Sequence, residues 1–240
     1  MDGRRYRPIT TVLQGVILAT TMLLAGPPAP AAAHCPGSAI PNNGRHYAAG
    51  TRNIAGVAVA KGIRGNVGWV NPNVCTRPDG FAFSAEYMNI CNTGSCSGWV
   101  QVGWLKSQGN AAPQFYCEFK PVGGAAVRFQ APLTQAQHAY KFDYDAFDGL
   151  WDCFLDGAGK FSRGNMGFTQ GTWLVGGGEV NATHAQIGAA APAKLALTDM
   201  QYRNAANQWP AFDVANFVLN VPYGVDEPAV GQLRNWTNAH

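Results

Sequence analysis

The sequence lacks most of the local motifs that mark an enzyme or a nucleic-acid-binding protein. It contains no H-E-x-x-H segment, no phosphate-binding P-loop and no dinucleotide-binding glycine fingerprint. Charged residues make up only 13% of the chain, and no basic run follows the N-terminal region, which argues against nucleic acid and anionic membranes as partners. No C-x-x-C pair occurs and the histidines are scattered, so we expect neither a metal site nor another cofactor.

The longest apolar run lies at the N-terminus and has the form of an export signal. Three arginines fall within the first seven residues, a mostly apolar stretch covers residues 9–25, and Ala31-Ala32-Ala33 offers a small-residue cleavage site. Residues 1–33 are therefore predicted to be a signal peptide. We expect a secreted protein that has no membrane contact once this segment is removed, with 14 basic and 13 acidic side chains remaining.

All six cysteines follow the predicted signal peptide. They are Cys35, Cys75, Cys91, Cys96, Cys117 and Cys153. An even number of cysteines in an exported chain indicates disulfide bonds, here up to three, and about 15 pairings are formally possible. Cys91 and Cys96 form the simplest local pair. A bond between Cys117 and Cys153 would link two strand-like segments and leave the first two cysteines for each other.

The remainder of the chain is typical of a β protein. Short apolar or alternating runs are separated by turn signals such as Asp148-Gly149 and Asp156-Gly157. This pattern predicts an all-β fold, a two-sheet antiparallel sandwich of jelly-roll type over residues 63–240, after a short polar segment at 34–62. The predicted strands cover 67–70, 81–90, 99–105, 115–119, 126–129, 139–144, 150–155, 172–175, 194–202 and 214–221.

Alternation within the segment 150–155 predicts which of its side chains are buried. Successive residues of a strand point to opposite faces of the sheet. We therefore expect Trp151, Cys153 and Leu155 to face the core.

Several weaker constellations remain open at the level of sequence. Residues 94–98 have the G-x-C-x-G form of a nucleophile elbow, although a disulfide at the cysteine is the better account. The aspartates within 143–149 loosely resemble a calcium loop, but their spacing departs from the EF-hand pattern and a solvated turn is favoured. Paired carboxylates for glycoside hydrolysis could be drawn from Glu86, Glu118 and Glu179 together with aspartates, and the sequence selects no pair.

Two distant segments each present one polar side chain among apolar neighbours. In Trp99–Trp104, Gln101 alternates with two valines, and in the second segment Glu179 follows three glycines. If the valines face the core, Gln101 points to the opposite face. A glutamate and a glutamine on one sheet face can act on a peptide bond, because the carboxylate activates water and the amide donates to the developing oxyanion.

These segments carry a resemblance to a known family. The stretch at 177–181, the stretch His184-Ala185-Gln186-Ile187-Gly188 and the run Tyr202-Arg203-Asn204 are similar to the G-G-E-V, T-Q-M-G-like and aromatic–Arg–Asn segments of neprosin-type secreted glutamic peptidases. Residues 99–104 resemble the I-E-A-G-W segment of that family. At its catalytic carboxylate this chain has Gln101, as the related fungal eqolisins do with their Gln/Glu dyad.

The resemblance implies a function and a set of site residues. It implies a lectin-like β-sandwich that hydrolyses polypeptides, with acidic conditions favoured, in which Glu179 and Gln101 are the catalytic pair on neighbouring strands. Trp104 and Gln186 are expected to line the same groove as substrate-binding residues. The alternative is a non-catalytic, lectin-like module that binds carbohydrate or cell-wall polymer with the same face, because one fold can host either function.

Overall fold

The computed structural model describes residues 44–182 and 184–238, which form fifteen β-strands. The strands are β1 (His46–Asn53), β2 (Gly62–Val67), β3 (Phe83–Cys91), β4 (Trp99–Ser107), β5 (Gln114–Lys120), β6 (Val127–Pro132), β7 (His138–Asp145), β8 (Leu150–Leu155), β9 (Ala158–Arg163), β10 (Trp173–Val180), β11 (Ala189–Ala190), β12 (Leu195–Arg203), β13 (Asn216–Leu219), β14 (Tyr223–Ala229) and β15 (Gln232–Thr237). Across these described ranges, no helix has the length and apolar character needed to cross a membrane.

The strands form two sheets, as the predicted β-sandwich requires. A seven-stranded sheet has the order β13-β1-β10-β3-β4-β5-β6, and its pairs are antiparallel. An eight-stranded sheet has the order β11-β15-β12-β2-β7-β8-β9, with β14 paired to β15. In the seven-stranded sheet, the strand order differs from the chain order because β10, a strand from the second half of the chain, lies between β1 and β3.

The core lies between the two sheets and follows from strand alternation. On β4, Val100, Val102 and Trp104 are fully buried, and they point away from Gln101 as the pattern predicts. The ring of Phe119 on β5 meets that of Phe142 on β7 edge-on, with 5.0 Å between centroids. Each such side chain contributes about 1.5–3 kcal/mol when it leaves water, so this inner layer holds the sheets together.

Two disulfides confirm two of the predicted cysteine pairings. The inter-sheet disulfide joins Cys117 on β5 to Cys153 on β8, and the hairpin disulfide joins Cys91 to Cys96 across the β3–β4 connection. Cys75 is also disulfide-bonded. Its expected partner near the N-terminus lies outside the described residues, so that pairing stays a prediction.

Most of the predicted strands are confirmed, but several strands, β9 and β1 among them, were not predicted, and β2 ends where the predicted strand at 67–70 begins. β8 has the predicted bounds, and its burial alternates with Trp151, Cys153 and Leu155 inside. β1 lies within 34–62, the segment that we expected to be polar and outside the sandwich, yet it pairs with both β10 and β13. The sandwich therefore begins before residue 63. The predicted signal peptide lies outside the described residues.

Candidate functional site

The outer face of the seven-stranded sheet is a grid of side chains. Because alternate residues point outward and the strands are held in fixed register, outward side chains from successive strands line up in transverse rows. We name four rows after their main residues: the glutamate row (Tyr47, Glu179, Ala85, Leu105), the tyrosine row (Ala49, Gly177, Tyr87, Gly103, Tyr116), the glutamine row (Thr51, Val175, Asn89, Gln101, Glu118) and the tryptophan row (Asn53, Trp173, Cys91, Trp99, Lys120).

A cleft of about 480 Å³ lies on this outer face. Aromatic rings and small apolar groups make up much of its lining, together with one carboxylate, two amides and one guanidinium. The lining residues are Arg45, Tyr47, Ala49, Thr51, Tyr87, Asn89, Cys91, Cys96, Trp99, Gln101, Trp173, Val175, Glu179 and Val218. Both residues that the sequence singled out as a catalytic pair, Gln101 and Glu179, are therefore in the same cleft.

Glu179 is a buried carboxylate with two polar neighbours. Its side chain is only 5% exposed, and Arg45 Nη1 lies 2.7 Å from its Oε1 in an ion pair. The Tyr87 hydroxyl lies beside the carboxylate and favours its charged form. Loss of water raises the pKa of Glu179 above its ordinary value, and Arg45 and Tyr87 act in the opposite direction.

Gln101 is held by hydrogen bonds at both ends of its amide. Its Nε2 donates to the hydroxyl oxygen of Tyr116 at 2.7 Å, and its Oε1 accepts a longer bond of 3.4 Å from Asn89 Nδ2. The side chain is buried along with both partners. The amide is thus oriented before any ligand arrives, which reduces the entropy lost when it makes a new contact.

Two glycines in the tyrosine row explain why the motifs around the pair are glycine-rich. A Cβ atom at Gly103 would lie 1.9 Å from the backbone oxygen of Glu86, and one at Gly177 would lie 2.4 Å from that of Ala48. Gly177 also has a φ of 140°, which side chains rarely allow. Tyr87 lies between these two glycines in register, so its ring has space on both sides.

The geometry corrects our expectation about the catalytic pair. Gln101 and Glu179 are not on neighbouring strands, because β3 lies between β4 and β10. They are two strands and four residues apart in register, roughly 16 Å between Cα atoms at ordinary strand spacings. The amide of Gln101 is hydrogen-bonded to Tyr116, and the carboxylate of Glu179 has Tyr87 as a neighbour. Two tyrosines, rather than a single water, therefore separate the groups.

Glu118 belongs to the same face but has other partners. Its Oε1 accepts from Trp99 Nε1 at 3.1 Å and its Oε2 from Arg128 Nε at 2.8 Å. Glu118 is three strands and four residues from Glu179 in register, roughly 20 Å between Cα atoms at ordinary strand spacings. The third carboxylate considered, Glu86, points to the opposite side of the sheet, where it is fully buried. Although the Cα atoms of Glu118 and Glu179 are far apart, the carboxylate of Glu118 acts electrostatically on that of Glu179 and, in addition to the loss of water, raises its pKa.

Trp104 and Gln186 do not line the cleft. Trp104 shares the orientation of Val100 and Val102, is fully buried in the inter-sheet core and donates from Nε1 to the Gly68 carbonyl at 2.9 Å. Gln186 is buried in a loop, where its Oε1 accepts from the Asn73 backbone N–H at 3.1 Å. The prediction that these two residues line the cleft as substrate-binding residues is therefore wrong.

The weaker constellations resolve into structural roles. Cys96 of the elbow-like segment is in the hairpin disulfide and is not free to act as a nucleophile. Asp143 forms an ion pair with Arg203 at 2.6 Å. In the part of the chain that the structure describes, no group of three or more His, Cys, Asp or Glu side chains is arranged to hold a metal ion.

Two cleft residues, Tyr87 and Arg45, were not predicted from the sequence, nor was Tyr116, which holds Gln101. Tyr87 and Tyr116 fall within predicted strands, but nothing in a single strand shows which tyrosine will adjoin a given polar residue. Arg45 becomes a neighbour of the site only through the pairing of β1 with β10. Strand order was the missing information.

Comparison with known proteins shows likeness in architecture only. No family model matches the chain, and no curated protein matches it. Among solved structures, it is similar to a glycoside hydrolase family 16 endo-glucanase from Bacteroides ovatus (10% identity, 56% of this chain and 66% of that one, TM-score 0.37). It is also similar to the laminarinase catalytic domain from Thermotoga maritima (11% identity, 74% and 64%, TM-score 0.36).

A third similar structure is a binding module, the sialidase CBM40 of Ruminococcus gnavus bound to sialyllactose (8% identity, 55% of this chain and 79% of that one, TM-score 0.32). This chain spans slightly less than two thirds of the two enzyme chains. Likeness at these identities concerns the β-sandwich architecture and says nothing about the chemistry of the cleft.

Proposed function

We propose that this is a secreted β-sandwich protein that binds glycans in the outer-face cleft. The observation that carries the proposal is the composition of the cleft. Two tryptophans and two tyrosines share it with a carboxylate, two amides and a guanidinium, all on the face of one rigid sheet. Apolar walls with a few convergent polar groups are the usual make-up of a small-molecule site.

This lining matches the two kinds of surface that a sugar offers. The C–H faces of a pyranose ring pack against aromatic rings, whose amphipathic character suits a partly wet site. Its hydroxyls donate to carboxylates and amide oxygens and accept from amides and guanidinium groups. In the cleft, Glu179 and Asn89 supply acceptors, while Gln101 and Arg45 supply donors. The backbone groups of the sheet are used in strand pairing, so these side chains carry the recognition.

The placement of the carboxylates favours binding over glycoside hydrolysis. Glu179 lines the cleft, whereas Glu118 does not line it and is bonded to Trp99 and Arg128. Hydrolysis by the common two-carboxylate route needs an acid and a second carboxylate on either side of one bond. The described residues place a single acidic side chain in the cleft lining.

Isothermal titration calorimetry of the mature protein with soluble neutral oligosaccharides tests the proposal. Glu179→Gln should weaken binding about tenfold or more, since hydrogen bonds to a charged group are among the stronger ones. The exposed turn variant Asp148→Asn serves as the matched control and should bind as the parent does. Absence of binding to every glycan tested, or unchanged affinity in Glu179→Gln, would contradict the assignment.

A second candidate is peptide-bond hydrolysis, and one observation favours it. Glu179 is a buried carboxylate with a raised pKa in a cleft, a combination found at many catalytic sites. Because β3 lies between the strands of Gln101 and Glu179, the oxyanion donor nearest to Glu179 would be the Arg45 guanidinium. Gln101 would then act further along the cleft.

The two candidates give different results with a polypeptide. Denatured protein is incubated with the mature chain between about pH 3 and 7, beside Glu179→Gln. Cleavage by the parent that is lost in the variant supports peptidase activity. Intact substrate in both samples, together with oligosaccharide binding by the parent, leaves glycan binding as the function.

A further inference from the structure

Two tryptophans lie at a fixed spacing at one end of the cleft. In the tryptophan row, Trp173 is opposite Cys91, and Cys91 is opposite Trp99. All three side chains point to the outer face and line the cleft. Two strand spacings separate the tryptophans, about 10 Å across the sheet.

Each of these rings is held by its surroundings. Trp99 donates from Nε1 to Glu118 at 3.1 Å, and the ammonium of Lys120 lies 5.5 Å from its ring centroid. The turn containing Gly94 lies against Trp173, where a Cβ atom would come within 3.9 Å of Cε3. Both tryptophans are partly buried. Rings fixed in this way lose little freedom when a ligand packs on them.

The space between the tryptophans is apolar. It is occupied by the hairpin disulfide, of which both sulfur-bearing residues, Cys91 and Cys96, line the cleft. A disulfide is shorter than an indole ring and offers no strong hydrogen-bond donor. A chain-like ligand that contacts both rings has to pass over this disulfide and the turn that carries Cys96.

We propose that Trp99 and Trp173 form a two-ring platform for an extended β-linked polysaccharide that crosses the strands. In a flat glucan ribbon, successive sugars are turned over, so every second sugar presents the same face. The length of such a disaccharide unit corresponds to the two strand spacings between the rings. The first and third of three consecutive sugars stack on the tryptophans and the second passes over the disulfide. This inference rests on the proposed glycan-binding function and specifies its ligand class.

Cello-oligosaccharides of one to six units, titrated into the mature protein and followed by calorimetry, test the platform. We expect a step of about tenfold in affinity between the disaccharide and the trisaccharide, the shortest ligand that reaches both rings. Trp173→Ala should abolish the step and leave disaccharide binding almost unchanged. Trp173→Phe should restore part of it. Trp209→Ala, at a partly buried tryptophan on Arg64 outside the cleft, is the matched control and should retain the step.

The outcomes separate this inference from the function on which it rests. Binding that rises smoothly with length, or an equal loss in Trp173→Ala for every length, overturns the platform and leaves glycan binding intact. No binding of any oligosaccharide overturns both. Laminari-oligosaccharides, whose chain is helical rather than ribbon-like, should bind without the step. The same step in that series would overturn the proposed preference for an extended chain.

Discussion

The protein is expected to lose much of its stability as the pH rises from about 4.5 to about 8. Replacing Glu86 by glutamine should prevent that loss. Glu86 on β3 points into the inter-sheet core and is fully buried. Asn235 Nδ2 donates to its Oε2 at 2.6 Å, and the nearby Gly188 backbone N–H also favours its charged form. Its Oε1 has no hydrogen-bond partner. Loss of water raises the pKa of Glu86 to about 8, against an ordinary value of 4.5.

The magnitude follows from the linkage between proton binding and folding. A carboxyl group whose pKa is higher in the folded state stabilises that state fully below the unfolded pKa, and the stabilisation is lost as the pH rises through the folded pKa. At about 1.4 kcal/mol per unit of pKa, the free energy of unfolding should fall by about 5 kcal/mol over this window. About 3 kcal/mol of that is already lost at pH 7. This is a large part of the 5–15 kcal/mol that stabilises an ordinary domain.

Urea denaturation at several pH values, followed by tryptophan fluorescence, measures the effect. A glutamine keeps the shape of the side chain and can still accept from Asn235, but it does not ionise. The free energy of unfolding of Glu86→Gln minus that of the parent should therefore grow by about 5 kcal/mol between pH 4 and pH 9. Glu179 titrates in both proteins, so its contribution cancels in the difference.

Asp148→Asn, at an exposed turn where Asp148 accepts from the Leu150 N–H, provides the control. This variant also removes one carboxylate, but it should not reproduce the growing difference expected for Glu86→Gln. Parallel curves for Glu86→Gln and the parent would refute the reasoning, because they would show that Glu86 takes up no extra proton on folding.

Three further predictions concern the sheets and the cleft. Gly103→Ala should destabilise the protein by about 3 kcal/mol or more in thermal unfolding, because its Cβ would meet backbone at 1.9 Å, whereas Gly159→Ala, with only ordinary contacts, should have a small effect. Removing the inter-sheet disulfide in the double variant Cys117→Ala, Cys153→Ala should lower the free energy of unfolding by about 4 kcal/mol in chemical denaturation. Removing the hairpin disulfide should lower it by about 2 kcal/mol, because its shorter loop restrains the unfolded chain less. Arg45→Gln should raise the pKa of Glu179, seen by carboxyl NMR titration, because the guanidinium lowers it; an unchanged titration would show that this ion pair does not form in solution.

The fold was largely predictable where strands carry large apolar residues in strict alternation. β4, β5 and β8 are examples, and their inward faces follow directly from the period of two. β1 was missed because its inward positions are small. Gly50 has no room for a side chain, since a Cβ atom would lie 2.7 Å from Val214. Because β1 packs closely through small residues, it lacks the alternating large apolar residues from which strands were predicted.

The sheet face that carries the candidate site was predictable from the sequence, but the distances between its residues were not. Alternation placed Gln101 on the outer face, and the same rule, applied three residues further on, would have placed Trp104 in the core. The distance between Gln101 and Glu179 depends on β3 lying between their strands, and strand order is a property of the whole sheet. The roles of Tyr87 and Tyr116 follow from that same order.

The strict division between inward and outward positions lets the core and the cleft vary separately. On β4, residues 100, 102 and 104 face the core, while residues 99, 101 and 103 face outward and the first two of these line the cleft. The outward side chains of this strand could be replaced while the inter-sheet layer and the strand register stay unchanged. Relatives of this protein, or designed variants of it, could therefore acquire a different ligand by replacing odd-numbered residues of one strand, provided that the glycine at 103 is kept.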